Sequence, residues 1–279
     1  MSVNRTIVLF AALLVLLSAC GKVQARIERP SITDPQAEAT AIVQATEHAR
    51  LATEVAALEA TLGITPGPIT ITIDATQSLP SAISGNEPGV FYQPIPLDVA
   101  AHAPNGFASP LTGRQTLGDV PFALNASIFK SQSSSSPDDG YPTTILFSLD
   151  VLRASKVHLL LNTGNGFAQF EGQHIGQVAV NCDGERVVVS DLVLGRDVRE
   201  WHLAYNVVYT VERARQVWTG TLAEYPDLAG HIDLLSLELP AACRDGTLTA
   251  IEIADTSAKT VGSLDPALNL FGITVEYRR

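Results

Sequence analysis

Hydrophobic and polar positions change their period twice along the chain. Residues 7–17 form an unbroken apolar run behind Arg5. The run is shorter than the ~20 residues that a membrane-crossing helix needs. With the small residues that follow, it reads as a signal peptide over residues 1–19. Residues 35–62 then carry Ala, Glu, Gln and Leu with no helix breaker after Pro35. Asp34 is positioned to cap a helix, Pro35 suits its first turn and Gly63 its stop. These signals predict a helical stalk over 34–63, about 42 Å long. From residue 69 onward the period becomes two.

Ile69, Ile71 and Ile73 alternate with Thr70 and Thr72, which predicts one short strand inside a Gly- and Pro-punctuated linker over 64–90. After Phe91, strand-length segments fall at 120–124, 144–149, 157–161, 175–182, 186–193, 204–211, 232–239, 248–254 and 270–277. About nine turn-separated strands without a long helical pattern between them predict a mainly β fold, an antiparallel β-sandwich over 91–279. Asp183-Gly184 is a tight hairpin signal, because both residue types tolerate positive φ. The serine run 133–136 and the following Pro137-Asp138-Asp139-Gly140 read as a surface loop.

The stalk has an incomplete seam. Leu51, Val55, Leu58 and Leu62 keep a heptad-like spacing, but continued backward the stripe meets His48, Gln44 and Ala41. Two heptads are fewer than the three or four that mark a coiled coil. Docking of the stalk on the next domain and self-association through 34–63 both stay open.

Charge narrows the partners. Eighteen Lys and Arg stand against 29 Asp and Glu, a formal net charge of −11. Affinity for nucleic acid comes largely from cationic side chains neutralising phosphates, so a nucleic-acid partner is disfavoured.

Leu17-Ser18-Ala19-Cys20 resembles the lipobox of bacterial lipoproteins. The resemblance implies cleavage before Cys20, lipidation of its sulfur and an extracytoplasmic chain held to a bacterial membrane through a tether over 20–33. Two acyl chains give stable attachment where one is marginal. The alternative is a secretory signal with an incidental cysteine. Of the three cysteines, Cys182 and Cys243 then remain. Outside the cytoplasm such a pair often forms a disulfide, the alternative being two buried thiols.

Within 91–279 a further resemblance is carried by Leu97-Asp98-Val99, Asn105-Gly106-Phe107, Gly113-Arg114-Gln115-Thr116 and Val120-Pro121-Phe122. Leu161-Asn162-Thr163, the Asp183-Gly184 turn, Asp197-Val198-Arg199-Glu200-Trp201, Val217-Trp218-Thr219-Gly220 and residues 248–255 follow in order. Together they resemble the galactose-binding-like jelly-roll modules found beside bacterial glycoside hydrolases. The resemblance implies a jelly roll and carbohydrate binding. Only residues 108–112 separate the Asn-Gly-Phe and Gly-Arg-Gln elements, where many relatives carry a Gly/Asp/Trp-rich insertion.

Sugar recognition asks for aromatic faces beside hydrogen-bonding groups. Phe107, Tyr141, Phe167 and Phe170 fall in expected loops, with Asp138 and Asp139 beside Tyr141 to accept sugar hydroxyls. Trp201 and Trp218 lie inside the quoted motifs next to strands and read as core. Asp138 and Asp139 are too few for calcium, which takes six to eight oxygens, and they read as a solvated turn. No cofactor is expected. The histidines are scattered, and neither His-Glu-x-x-His nor Gly-x-Ser-x-Gly occurs. A carboxylate pair for glycoside hydrolysis is a tertiary fact beyond sequence. The expected function is noncatalytic binding of carbohydrate or glycoconjugate at the cell envelope. The alternative is a structural or protein-interaction lipoprotein, and a surface hydrolase is a third reading.

Overall fold

A computed structural model describes residues 69–76, 79–97, 100–132, 141–204, 206–259 and 264–279. Cys20, the tether, the stalk over 34–63 and the Asp138-Asp139 turn lie outside these residues. The described chain runs through β1 (Thr70–Asp74), β2 (Ile83–Ser84), β3 (Val90–Ile95), β4 (Ala103–Pro104), β5 (Gly113–Leu117), β6 (Val120–Leu124) and β7 (Ser127–Lys130). It continues through β8 (Thr144–Leu152), β9 (Ala154–Gly164), β10 (His174–Cys182), β11 (Glu185–Val193), β12 (Arg215–Thr221) and β13 (Ala229–Glu238). A short helix α1 (Ala241–Asp245), β14 (Thr247–Asp255) and β15 (Ala267–Arg278) complete it.

The fold is mainly β, and its strands form a sandwich-like pair of sheets. One has the order β1-β8-β14-β10-β11; the other has β12-β13-β9-β15-β3-β2, with β7 also on β15. Within β8 the expected alternation holds: Ile145, Phe147, Leu149 and Val151 are buried while the residues between them face outward or lie at the margin. They meet Val157, Leu159 and Leu161 of β9 and Ile273 and Val275 of β15 in the main core. Burying one such side chain contributes about 1.5–3 kcal/mol.

β9 and β15 do not alternate, because both faces of their sheet are covered. Every residue of β15 except Arg278 is buried. Behind this sheet, Phe122 and Leu124 of the β5–β6 hairpin pack with Leu160, Ile232, Leu234 and Phe271 in a second core. Such strands read as continuous apolar runs instead of period-two segments.

Three expectations change. The strand near residue 71 pairs in parallel with β8, from Thr70 with Thr144 to Asp74 with Ser148, so it is the edge of the first sheet and not an element of a linker. The sandwich therefore has one parallel pair among its antiparallel ones. The described residues of 204–211 contain no strand: Asn206 has φ 64°, which turns the apolar run across the strand ends, and Val207 makes only a single bridge to Phe167. The Asp183-Gly184 turn does join β10 to β11, with φ of 51° and 91°. Cys182 and Cys243 stand at disulfide distance, their Cα atoms 5.0 Å apart.

Candidate functional site

The end of the sandwich where β9 finishes and β15 begins carries a groove of about 270 Å³. Four segments meet there: 104–106, 164–167, 200–202 and 224–225, with Lys130 and Asn269 beside them. The 200–202 segment is threaded between strand ends. Thr163 N donates to Arg199 O and Trp201 N to Thr163 O, each at 2.9 Å, while Glu200 N donates to Val208 O at 2.9 Å.

Two buried aspartates hold this segment in place. Asp197 accepts from Val193 N at 2.9 Å and pairs with Arg196 and Arg213. Asp233, on β13, takes both Nε and Nη2 of Arg199 at 2.7 Å. A bidentate guanidinium–carboxylate pair fixes orientation as well as distance. The Asp197-Val198-Arg199-Glu200-Trp201 motif thus divides its labour: Asp197 and Arg199 anchor, while Glu200 and Trp201 face the groove.

Close packing at two glycines completes the floor. A Cβ on Gly106, whose φ is +79°, would lie 2.5 Å from Cζ3 of Trp201. A Cβ on Gly166 would lie 2.6 Å from Thr163 Oγ1 and 3.0 Å from Glu200 Oε2. Gly106→Ala is expected to displace the Trp201 ring and to destabilise the protein by about 1–3 kcal/mol, the usual effect of overpacking. Melting temperature and Trp201 emission in a Trp218→Phe background would report it; an unchanged spectrum and midpoint would remove this account of the floor.

Glu200 is 2% exposed, and its Oε2 accepts from Gly166 N. Burial pushes its carboxyl up to about 8, against the opposing effects of the Gly166 and Trp201 amides and of Lys130. Burial also lowers His202, whose Nε2 lies 3.5 Å from Glu200 Oε1. Both shifts favour the neutral forms. At pH 7 the floor therefore carries an uncharged carboxyl and imidazole, with Lys130 and Glu224 as the charged groups of the lining. Thr163 Oγ1, His202 Nδ1 and Asn269 Oδ1 are enclosed polar atoms with no hydrogen-bond partner among the described residues.

The expected aromatic residues separate. Phe167 lines the groove, while Phe170, 6.5 Å from it between ring centroids, leans on the main core. Tyr141 stands beside the groove: its ring is 5.1 Å from His102, and Lys130 Nζ is 5.5 Å from its centroid. Phe107 is 5% exposed and offers no face to a ligand. Its ring meets Trp218 edge-on at 4.5 Å in the second core, because the β5–β6 hairpin covers that side of the sheet.

Trp201 packs against the second core, as expected, and on Gly106, and its half-buried ring also lines the groove. Glu200, His202, Asn105, Asn165, Asn269 and Tyr225 were not singled out as ligands by sequence. The only signals were the quoted Asn-Gly-Phe and Arg-Glu-Trp motifs. Among the described residues, no group of three or more His, Cys, Asp or Glu is arranged to hold a metal ion.

No family model, curated protein or solved structure matches this chain.

Proposed function

We propose that the protein is a lipid-anchored, extracytoplasmic binding module for an uncharged carbohydrate, held at the membrane through Cys20 and taking its ligand in the groove. The observation that carries this reading is the meeting of Phe167, Trp201 and Tyr225 with the amides of Asn105, Asn165 and Asn269 over a neutral Glu200–His202 floor. Aromatic rings suit the apolar faces of a pyranose, and amides and neutral acids both donate to and accept from its hydroxyls. The order of the motifs quoted above supports a jelly roll of the galactose-binding-like kind. Cysteines at bonding distance support an oxidising compartment.

A protonated carboxyl at neutral pH is also what a general acid requires. Glu200 with Glu224 in the lining therefore favours a glycoside hydrolase as the second reading. One experiment separates the two. The full chain, solubilised in detergent, would be screened against a glycan array and insoluble polysaccharides, with product release followed in the same incubations. The expected result is sugar-competable binding without turnover, weakened about tenfold by Trp201→Ala or Phe167→Ala, the equivalent of ~1.4 kcal/mol. Turnover abolished by Glu224→Gln would replace binding with catalysis. Silence from folded protein would overturn both and favour an assembly role.

A further inference from the structure

The opposite end of the same strands carries a second concavity with different chemistry. Where β9 begins and β15 ends, a hollow of about 750 Å³ is lined by Arg153, Lys156, Arg244 and Arg278. β9 has 11 residues, which places the hollow roughly 30 Å from the groove along the strand.

The three arginines come from three segments stitched at one point. Arg153 is the corner between β8 and β9; its N donates to Gly246 O at 2.9 Å, and its O accepts from Arg278 N at 3.2 Å. Gly246 follows α1, which bears Arg244. The backbone itself thus holds three guanidinium-bearing residues together.

Their charge is not spent within the protein. Among the described residues, the guanidinium groups of Arg153, Arg244 and Arg278 have no hydrogen-bond or ion-pair partner. The neighbouring carboxylates are largely committed. Glu238 is 3.2 Å from Lys156 Nζ, and Glu276 accepts from Ser155 Oγ at 2.8 Å and faces His158 Nε2 at 3.5 Å. Asp245 is the remaining carboxylate of the lining, so the hollow carries four cationic residues against three carboxylates, a net positive site with three unpaired guanidinium groups in a chain whose formal net charge is −11.

The corner adds an independent observation. Arg153 has φ 54°, a left-handed conformation that a long L side chain adopts at a cost and that glycine or asparagine adopts readily. Strained non-glycine residues cluster where a side chain is needed for function. A corner that requires only the turn would not require an arginine.

We infer that this hollow is a binding site for a ligand bearing at least two oxyanion groups, either phosphate esters or uronic-acid carboxylates. The guanidinium fork pairs with both in bidentate fashion, and more than one unpaired fork calls for more than one acid group. The site is separate from the aromatic groove and does not rest on the sugar reading.

Calorimetric titration of the full chain at low salt, with inorganic pyrophosphate in one arm and oligogalacturonate in the other, tests the inference. Saturable binding is expected in one arm, and the arm that responds identifies the source of the oxyanion. Arg244→Gln combined with Arg278→Gln is expected to weaken that binding at least about tenfold. Arg153→Gly is expected to do the same while keeping the corner, since glycine accepts its φ. Arg186→Gln, which removes an exposed pair with Glu252, serves as the control and should bind like the parent. Melting temperatures within a few degrees of the parent would show that the variants fold. Binding in neither arm, or binding undiminished in the folded arginine variants, would overturn the site.

Discussion

Replacing Glu200 by glutamine is expected to remove the alkaline decline in folding stability between about pH 6.5 and 8, and to leave a steeper rise with pH below 6.5, where the carboxyl no longer opposes the buried histidines. The folded-state carboxyl sits at about 8 against an ordinary 4.5, so across this window the folded protein holds a proton that the unfolded chain has released. The contribution of the neutral carboxyl is fully present below pH 4.5 and is lost as pH rises through 8. At about 1.4 kcal/mol per pH unit the whole span amounts to roughly 5 kcal/mol. The other buried groups act on the acid side. His231, lowered to about 4 by burial, and His202, lowered from 6.5, contribute stability above their unfolded values that is lost as pH falls. Glu276, lowered to about 2 by its hydrogen bonds to His158 and Ser155, loses its contribution progressively as pH falls from about 4.5 to 2. Above pH 6.5 the alkaline decline therefore belongs to Glu200 among these groups.

Urea unfolding at half-unit pH steps would measure both curves. The parent should lose about 2 kcal/mol between pH 6.5 and 8, while the variant stays level. Glutamine is isosteric and its carbonyl can still accept from Gly166 N, so the change isolates the proton. Parallel curves would mean that the carboxyl is solvated in solution, and the neutral floor argued for the groove would go with it.

The burial that shifts Glu200 was not legible in the sequence, and the reason is physical. Glu200 is one acidic residue among 29 until Gly166, Thr163 and Val208, from other segments, enclose it. Local pattern carries strand identity well where one face meets the core, as in 144–149 and 248–254, which lie inside β8 and β14. It carries less where both faces are covered or where the strand is exposed. β5, Gly113–Leu117, buries only Leu117 and gave no period-two signal of its own. Phe107 lies in the second core where a loop was expected, and Trp201, which packs on that core as expected, also reaches the groove, for a related reason. Sequence marks which rings sit near turns, but the β5–β6 hairpin decides which of them solvent reaches. The segments around Asn105-Gly106 and Glu200-Trp201 meet at one groove, a juxtaposition that sequence order alone does not show.

Removing the Cys182–Cys243 pair is the other change expected to be large. The two residues are 61 apart in sequence, and closing a loop of that length restricts the unfolded chain by about 4 kcal/mol in the chain-entropy account. Both side chains are almost completely buried, Cys182 at the end of β10 and Cys243 inside α1. Nearby bonds will offset part of the loss: Asp183 N donates to Thr247 O, and Thr247 N to Asp183 Oδ1, each at 3.0 Å. These bonds hold the same hairpin against the start of β14 after the covalent link is gone, so the native geometry should survive while the unfolded ensemble expands. A Cys182→Ala, Cys243→Ala double variant avoids burying new hydroxyls and should melt roughly 10–15 °C lower than the oxidised parent. The parent treated with a reductant should move toward the same midpoint, while the variant should not respond. Alkylation under denaturing, nonreducing conditions, read by peptide mass, should leave both cysteines of the parent unmodified. Modified thiols at these positions, together with equal melting of parent and variant, would mean that the residues pack as two free thiols and that the sheets hold α1 without a covalent link.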